Sequence, residues 1–123
     1  AVEQAQIFGE YHDVGDLALK HVAHTLRGML RAEEVLARLG GEEFVVILPG
    51  ALEQAIQAAE RWRRALENCP CRLTSDNALV ITVSLGVATR RQPGDSVEEV
   101  LKRADLALYR AKDSGRNQVQ WEN

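Results

Sequence analysis

The chain has little with which to cross-link itself. There are two cysteines and three prolines among 123 residues, and Cys69 and Cys71 flank Pro70. A disulfide across one intervening residue is strained, and two thiols without clustered histidines are too few donors for a zinc site. The expectation is a pair of reduced thiols in a loop. His21 and His24 stand one helical turn apart without a third ligand, which reads as a helix surface. A net charge of −3 lacks the basic excess of a polyanion binder, so neither nucleic acid nor an anionic membrane is the expected partner. No apolar run is long enough to span a bilayer, and no signal-peptide pattern opens the chain, which suggests a cytoplasmic protein. No internal repeat or low-complexity tract appears. What remains, 46% hydrophobic and 27% charged residues, suits a single globular domain over residues 1–123.

The most informative stretch runs from Ala37 to Pro49: two apolar runs joined by Gly40-Gly41 and by the adjacent carboxylates Glu42 and Glu43. Glycine reaches the positive φ values of tight hairpin turns. Phe44 to Leu48 is apolar without alternation, the mark of a strand covered on both faces. An acidic pair abutting such a strand is poorly placed unless a cation lies nearby.

Around this hairpin the chain alternates helices and strands. Ala1 to Tyr11 has weak periodicity and no clear strand. Aspartates at 13 and 16 precede a helix whose apolar face is Leu19, Val22, Ala23, Leu26, Met29 and Leu30, expected to end near Arg31. Val35 to Leu39 forms the first hairpin strand. After Pro49-Gly50 a second helix carries Leu52, Ala55, Ile56, Ala59, Trp62 and Leu66 at helical spacing, with Glu60 and Arg64 paired on its wet face. Leu79 to Ala88 reads as a core strand, in which the small residues Ser84 and Gly86 imply a close backbone approach, a bulge or a helix packed tightly above. Ser96 and Glu99 form a capping box for a last helix with Val97, Leu101, Ala104, Leu108 and Ala111 inward, stopping at Gly115. Asn117 to Trp121 is a short final strand. The order suits an α+β fold with helices packed on an antiparallel or mixed sheet.

Three motifs then carry a family resemblance: Arg38-x-Gly40-Gly41-Glu42-Glu43-Phe44, the strand Ile81-Thr82-Val83-Ser84-Leu85-Gly86-Val87-Ala88, and Ala104-Asp105-x-Ala107-Leu108-Tyr109-x-Ala111-Lys112-x-x-Gly115-Arg116-Asn117. In order and spacing they resemble the GGDEF domain of bacterial diguanylate cyclases, from about His12 to the C-terminus. The resemblance implies a palm-like nucleotidyl cyclase fold, GTP as substrate, Mg²⁺ as cofactor, and condensation of two GTP into cyclic di-GMP with loss of pyrophosphate. It implies that Glu42 binds the metal, that Glu43 is the signature's second acid, and that Gly40 and Gly41 let the main chain approach the nucleotide. Lys112 and Arg116 resemble the pair that holds terminal phosphates; cations at a helix C-terminus also favour the helix dipole without any ligand. Asp16 resembles the aspartate that accepts from the guanine edge, or is merely a helix cap. Asp105 reads as structural.

Two departures shape the expectation. In the family the first strand bears an aspartate of the metal site, followed by Phe-Lys and Asn-Asp. Ala1 to Tyr11 shows no such pattern, so these residues form an atypical segment and the sheet is expected to be N-terminally truncated, lacking its first strand. An incomplete metal site, impaired or absent cyclase activity, and a homodimer that repairs the sheet are the corresponding expectations. The family's product-inhibition pair, Arg-x-x-Asp, is here Arg31-x-x-Glu34, which leaves weak cyclic di-GMP binding open beside an ordinary surface pair. A catalytically silent domain that binds GTP or cyclic di-GMP, or serves only in protein interaction, is the alternative to an enzyme.

Overall fold

A computed structural model describes residues 4–12, 16–40, 42–72, 74–90 and 94–122, the side chains of residues 12 and 16–19 excepted. Its main sheet has five strands in the order β2-β3-β1-β6-β7: β2 is Val35–Gly40, β3 Glu43–Pro49, β1 Gln4–His12, β6 Thr82–Thr89 and β7 Val119–Trp121. All neighbours are antiparallel except β6 and β7, which are parallel. Three helices, α1 (Asp16–Arg27), α2 (Leu52–Asn68) and α3 (Val97–Asp113), accompany the sheet, and β4 (Cys71–Arg72) pairs with β5 (Ala78–Leu79) in a separate two-stranded ribbon. This is the mixed α+β architecture expected.

The expectation of a missing first strand is corrected. Gln4–His12 is the central strand, bonded to β3 on one side and β6 on the other. Its pattern was unreadable because glutamine, alanine, glycine and glutamate interrupt the apolar run that marks a strand covered on both faces, yet Ala5, Gln6 and Ile7 are all buried. With that strand in place β3 and β6 are both paired to it, and the sheet needs no second copy to fill the position. What β1 does lack is aspartate; its only carboxylate is Glu10.

Two boundaries also shift. Helix α1 ends at Arg27 rather than near Arg31, since Gly28 follows and Met29 and Leu30 bond back to Leu26 and Arg27 as a turn. Leu79 belongs to the small ribbon, and the core strand begins only at Thr82. Of the readings open for Gly86, the tight helix holds: a Cβ there would lie 2.1 Å from the Ala104 carbonyl oxygen and 2.3 Å from the Leu108 nitrogen. Helix α3 therefore rests backbone to backbone on β6. The main core, with Trp62, Leu66, Ile7 and Leu85, fills the other face of the sheet. Cys69 is exposed and Cys71, in β4, is buried, and no disulfide joins them.

Candidate functional site

The hairpin tip is built by backbone conformation. Gly40 has φ of +135°, outside what a side chain tolerates, and the ladder slips between Arg38 and Gly40. Gly41 lies outside the described residues. The next residue, Glu42, offers its carbonyl to the Tyr11 amide at 3.2 Å. That bond ties the acidic tip to β1.

The register of β1 on β3 then sets the carboxylates. Glu10 stands directly opposite Glu43, so the two side chains share a sheet face at a cross-strand distance where like charges repel. On its other side Glu10 faces Ser84 of β6. The cation that offsets the repulsion is Lys112 from the last turn of α3, whose Nζ donates to Glu10 Oε2 at 2.6 Å. Lys112 is thus beside the acidic tip, bonded to a carboxylate of β1. Glu10 was missed by sequence reasoning; the signal was its position as the one acid in a segment that proved to be a strand.

Arg116 lies just past the helix, as the stop expected at Gly115 implies, and in a left-handed turn. Helix α3 closes at Ser114, and Gly115, Arg116 and Asn117 take φ of +115°, +65° and +47°. This left-handed turn is costly for arginine and is held by its neighbour Asn117. The Asn117 amide donates to Ser84 Oγ at 3.1 Å, its Oδ1 accepts from Arg63 Nη1 at 3.1 Å, and its Nδ2 donates to Glu67 of α2. Arg63 in turn is fixed by Glu60, to which its Nε donates at 2.7 Å; that bond, more than burial opposes it, holds the Glu60 carboxyl below its usual range. Asn117 is a second residue whose role in the site the sequence alone did not show.

A cavity of about 390 Å³ opens between α1 and the hairpin, with Lys20, Arg27, Arg38 and Glu43 at its polar edges and Phe44 and Leu36 as apolar wall. Tyr11 lines it too, and burial pushes its phenol up, with Arg38 lowering and Glu42 raising the value. Asp16 is the first residue of α1, the helix forming this wall, and its side chain lies outside the described residues. Arg31 and Glu34 sit in the turn after α1, where Glu34 Oε1 accepts from the Arg31 amide at 2.8 Å. They precede β2 and so stand at the end away from the tip, about 20 Å along a six-residue strand. Asp105 is exposed on α3.

Among the described residues no group of three or more His, Cys, Asp or Glu could hold a metal alone. A facing pair of carboxylates does suit a hard ion such as Mg²⁺, which completes its shell with water and substrate phosphates.

An α+β sheet that carries an acidic glycine hairpin beside a lysine at a helix end defines a nucleotidyl-cyclase type of domain. The family model described as "Diguanylate cyclase, GGDEF domain" matches residues 8–118, and the chain belongs to the GGDEF domain family. It is 43% identical over 110 residues to the response regulator PleD of Caulobacter vibrioides and 44% identical over 110 residues to the diguanylate cyclase DgcP of Pseudomonas aeruginosa. These alignments cover 88% and 89% of this chain but 24% and 16% of those proteins, so the chain spans a quarter of their length or less. Among solved structures, the GGDEF domain of DgcB from Caulobacter crescentus in complex with c-di-GMP superposes with a TM-score of 0.88 at 30% identity, covering 98% of this chain and 78% of that one. The GGDEF domain of YfiN from Pseudomonas aeruginosa gives 0.91 at 27% identity, covering 99% and 83%. No helix among the described residues is long and apolar enough to cross a membrane.

Proposed function

We propose that this domain condenses two GTP molecules into cyclic di-GMP, two copies facing each other with one nucleotide apiece. The observation that carries the reading is the register that sets Glu10 opposite Glu43 at the hairpin tip, with Lys112 beside them. In the reaction the 3′-oxygen of each GTP gives up its proton and attacks the α-phosphorus of the other, so that two phosphodiester bonds form, two α–β bonds break and two pyrophosphates leave. When bound, Mg²⁺ lowers the pKa of the attacking hydroxyl and neutralises charge on the phosphoryl oxygens. Glu42, Glu43 and Glu10 would hold it. Gly40, with Gly41, keeps side chains away from the nucleotide, and Lys112 and Arg116 hold the terminal phosphates. The guanine edge is met by Asp16, the first residue of α1, a carboxylate being suited to the adjacent donors N1–H and the 2-amino group.

Impairment is not proposed on the ground of a missing strand, since β1 occupies that place. What supports reduced turnover is narrower: β1 carries a glutamate and no aspartate, and Lys112 engages that glutamate. At the other end of the hairpin, Arg31 and Glu34 form a weak site for cyclic di-GMP; heat of binding that persists unchanged in Arg31→Ala would dismiss it. Incubation with GTP and Mg²⁺ tests the main reading. Pyrophosphate release that disappears in Glu42→Ala supports it, and no release from the unaltered chain leaves only a domain that binds GTP or cyclic di-GMP without turnover.

A further inference from the structure

The bond between Lys112 and Glu10 joins two groups that the reaction needs apart. Lys112 Nζ lies 2.6 Å from Glu10 Oε2, and the side chains retain 30% and 17% of their exposure. A lysine engaged in this way has one strong acceptor already and is not poised for phosphate. A carboxylate capped by an ammonium is equally closed to another cation. Yet the pair is not a buried structural bridge. Both groups keep some contact with water, so exchange of partners does not strand either charge in a dry interior. Nor is Glu10 indifferent to losing Lys112. Glu43 stands directly opposite, and two carboxylates facing across a strand pair call for a cation of some kind.

Resting on the function proposed above, we propose that Lys112 is a resident counter-ion which a divalent cation replaces. In the nucleotide-free domain Lys112 neutralises the Glu10–Glu43 pair. A metal–nucleotide complex brings both replacements at once, a divalent cation for the carboxylates and a phosphate for the ammonium, and the two ion pairs exchange. The pair is therefore autoinhibitory toward either ligand alone and permissive toward both together. Cation and phosphate binding become positively coupled, and by linkage each strengthens the other equally. Glu10 acts here as a positioning residue for Lys112 as well as a carboxylate ligand.

The test separates this exchange from the proposed activity. Mn²⁺ binding to the nucleotide-free domain, followed by the electron paramagnetic resonance of free Mn²⁺, requires no GTP. Lys112→Met, with Lys112→Gln as a second variant should Met perturb folding, is expected to bind Mn²⁺ about tenfold more tightly than the unaltered domain, on the order of removing one competing unit charge across partly solvated space. Glu10→Gln is expected to bind it most weakly. In calorimetry with GTP and excess EDTA, Glu10→Gln is expected to bind GTP more tightly than the unaltered domain, because Lys112 is released. Mn²⁺ affinity unchanged or reduced in both Lys112 variants overturns the exchange, as does metal-free GTP affinity that does not rise in Glu10→Gln. Failure of every variant to bind GTP even with Mg²⁺ would overturn the functional reading instead, while the Mn²⁺ comparison still decides the exchange.

Discussion

The ring of Phe44 lies over Gly9. The two residues face each other across the β1–β3 pair, and a Cβ on Gly9 would come within 2.3 Å of the Phe44 Cζ atom. The last residue of the acidic signature thus packs on the one position of β1 that has no side chain, and this contact fixes the register that brings Glu10 opposite Glu43.

Gly9→Val should therefore cost about 1–3 kcal/mol, the usual range for overfilling a packed position. Phe44 is buried, so the ring can move only by disturbing the core. Urea denaturation measures the loss; a midpoint equal to that of the unaltered domain would show that the register does not depend on this contact.

Gly86→Ala should be worse, because the obstruction is backbone. The new methyl meets the Ala104 carbonyl and the Leu108 amide of α3, neither of which can rotate away. Displacement of the helix that carries Lys112 is the expected result. A loss of more than about 3 kcal/mol, or failure to fold, is expected on denaturation.

Asn117→Ala removes the side-chain bonds to Arg63 and Glu67 from a turn in which Arg116 and Asn117 both have positive φ. The expected cost is about 1–3 kcal/mol, from partners left unpaired and alanine's poorer tolerance of φ > 0. GTP affinity should fall with it, since the turn places Arg116. Asn117→Gly restores conformational freedom but not the bonds, and should recover part of the stability without the affinity.

The Glu60–Arg63 pair gives a pH dependence. Glu60 is held below the usual glutamate range, mainly by its hydrogen bond from Arg63. A carboxyl depressed on folding binds protons more readily when unfolded, so its contribution is present above about pH 4.3 and is lost as pH falls through its folded value. Thermal melts in that acidic window should show a smaller pH slope for Glu60→Gln than for the unaltered domain.

Most of the fold was legible where the sequence carries helical periodicity, turn chemistry or an unbroken apolar run, as in β3 and β6. The face of α2, the Ser96 cap and the hairpin all carry periodicity or turn chemistry that local sequence records, and Ser96 Oγ accepts from the Glu99 amide at 3.1 Å; on α3, Ala104, Leu108 and Ala111 are buried as expected, but Val97, expected inward, is exposed and Val100 is buried instead. The central strand was illegible for a physical reason. Gln4 to His12 mixes glutamines, glycine and alanine, weak strand formers, and only its burial between β3 and β6 makes it a strand. The site followed the same division. Glu42, Glu43 and Lys112 were legible as motif residues, whereas Glu10 and Asn117 matter through partners 33 or more positions away: Glu43 and Lys112 for one, Ser84, Arg63 and Glu67 for the other. The end of α3 was legible in Gly115, but the positive φ of Arg116 and Asn117 that follows was not.

The most direct measurement is chromatography of the products formed from GTP and Mg²⁺ by the purified domain, beside Glu42→Ala and Glu10→Gln. The account predicts cyclic di-GMP and pyrophosphate from the unaltered domain, none from Glu42→Ala, and a large loss in Glu10→Gln. Product formed equally by all three would contradict the placing of the site at the hairpin and β1, and no product from the unaltered domain would contradict the proposed cyclase activity.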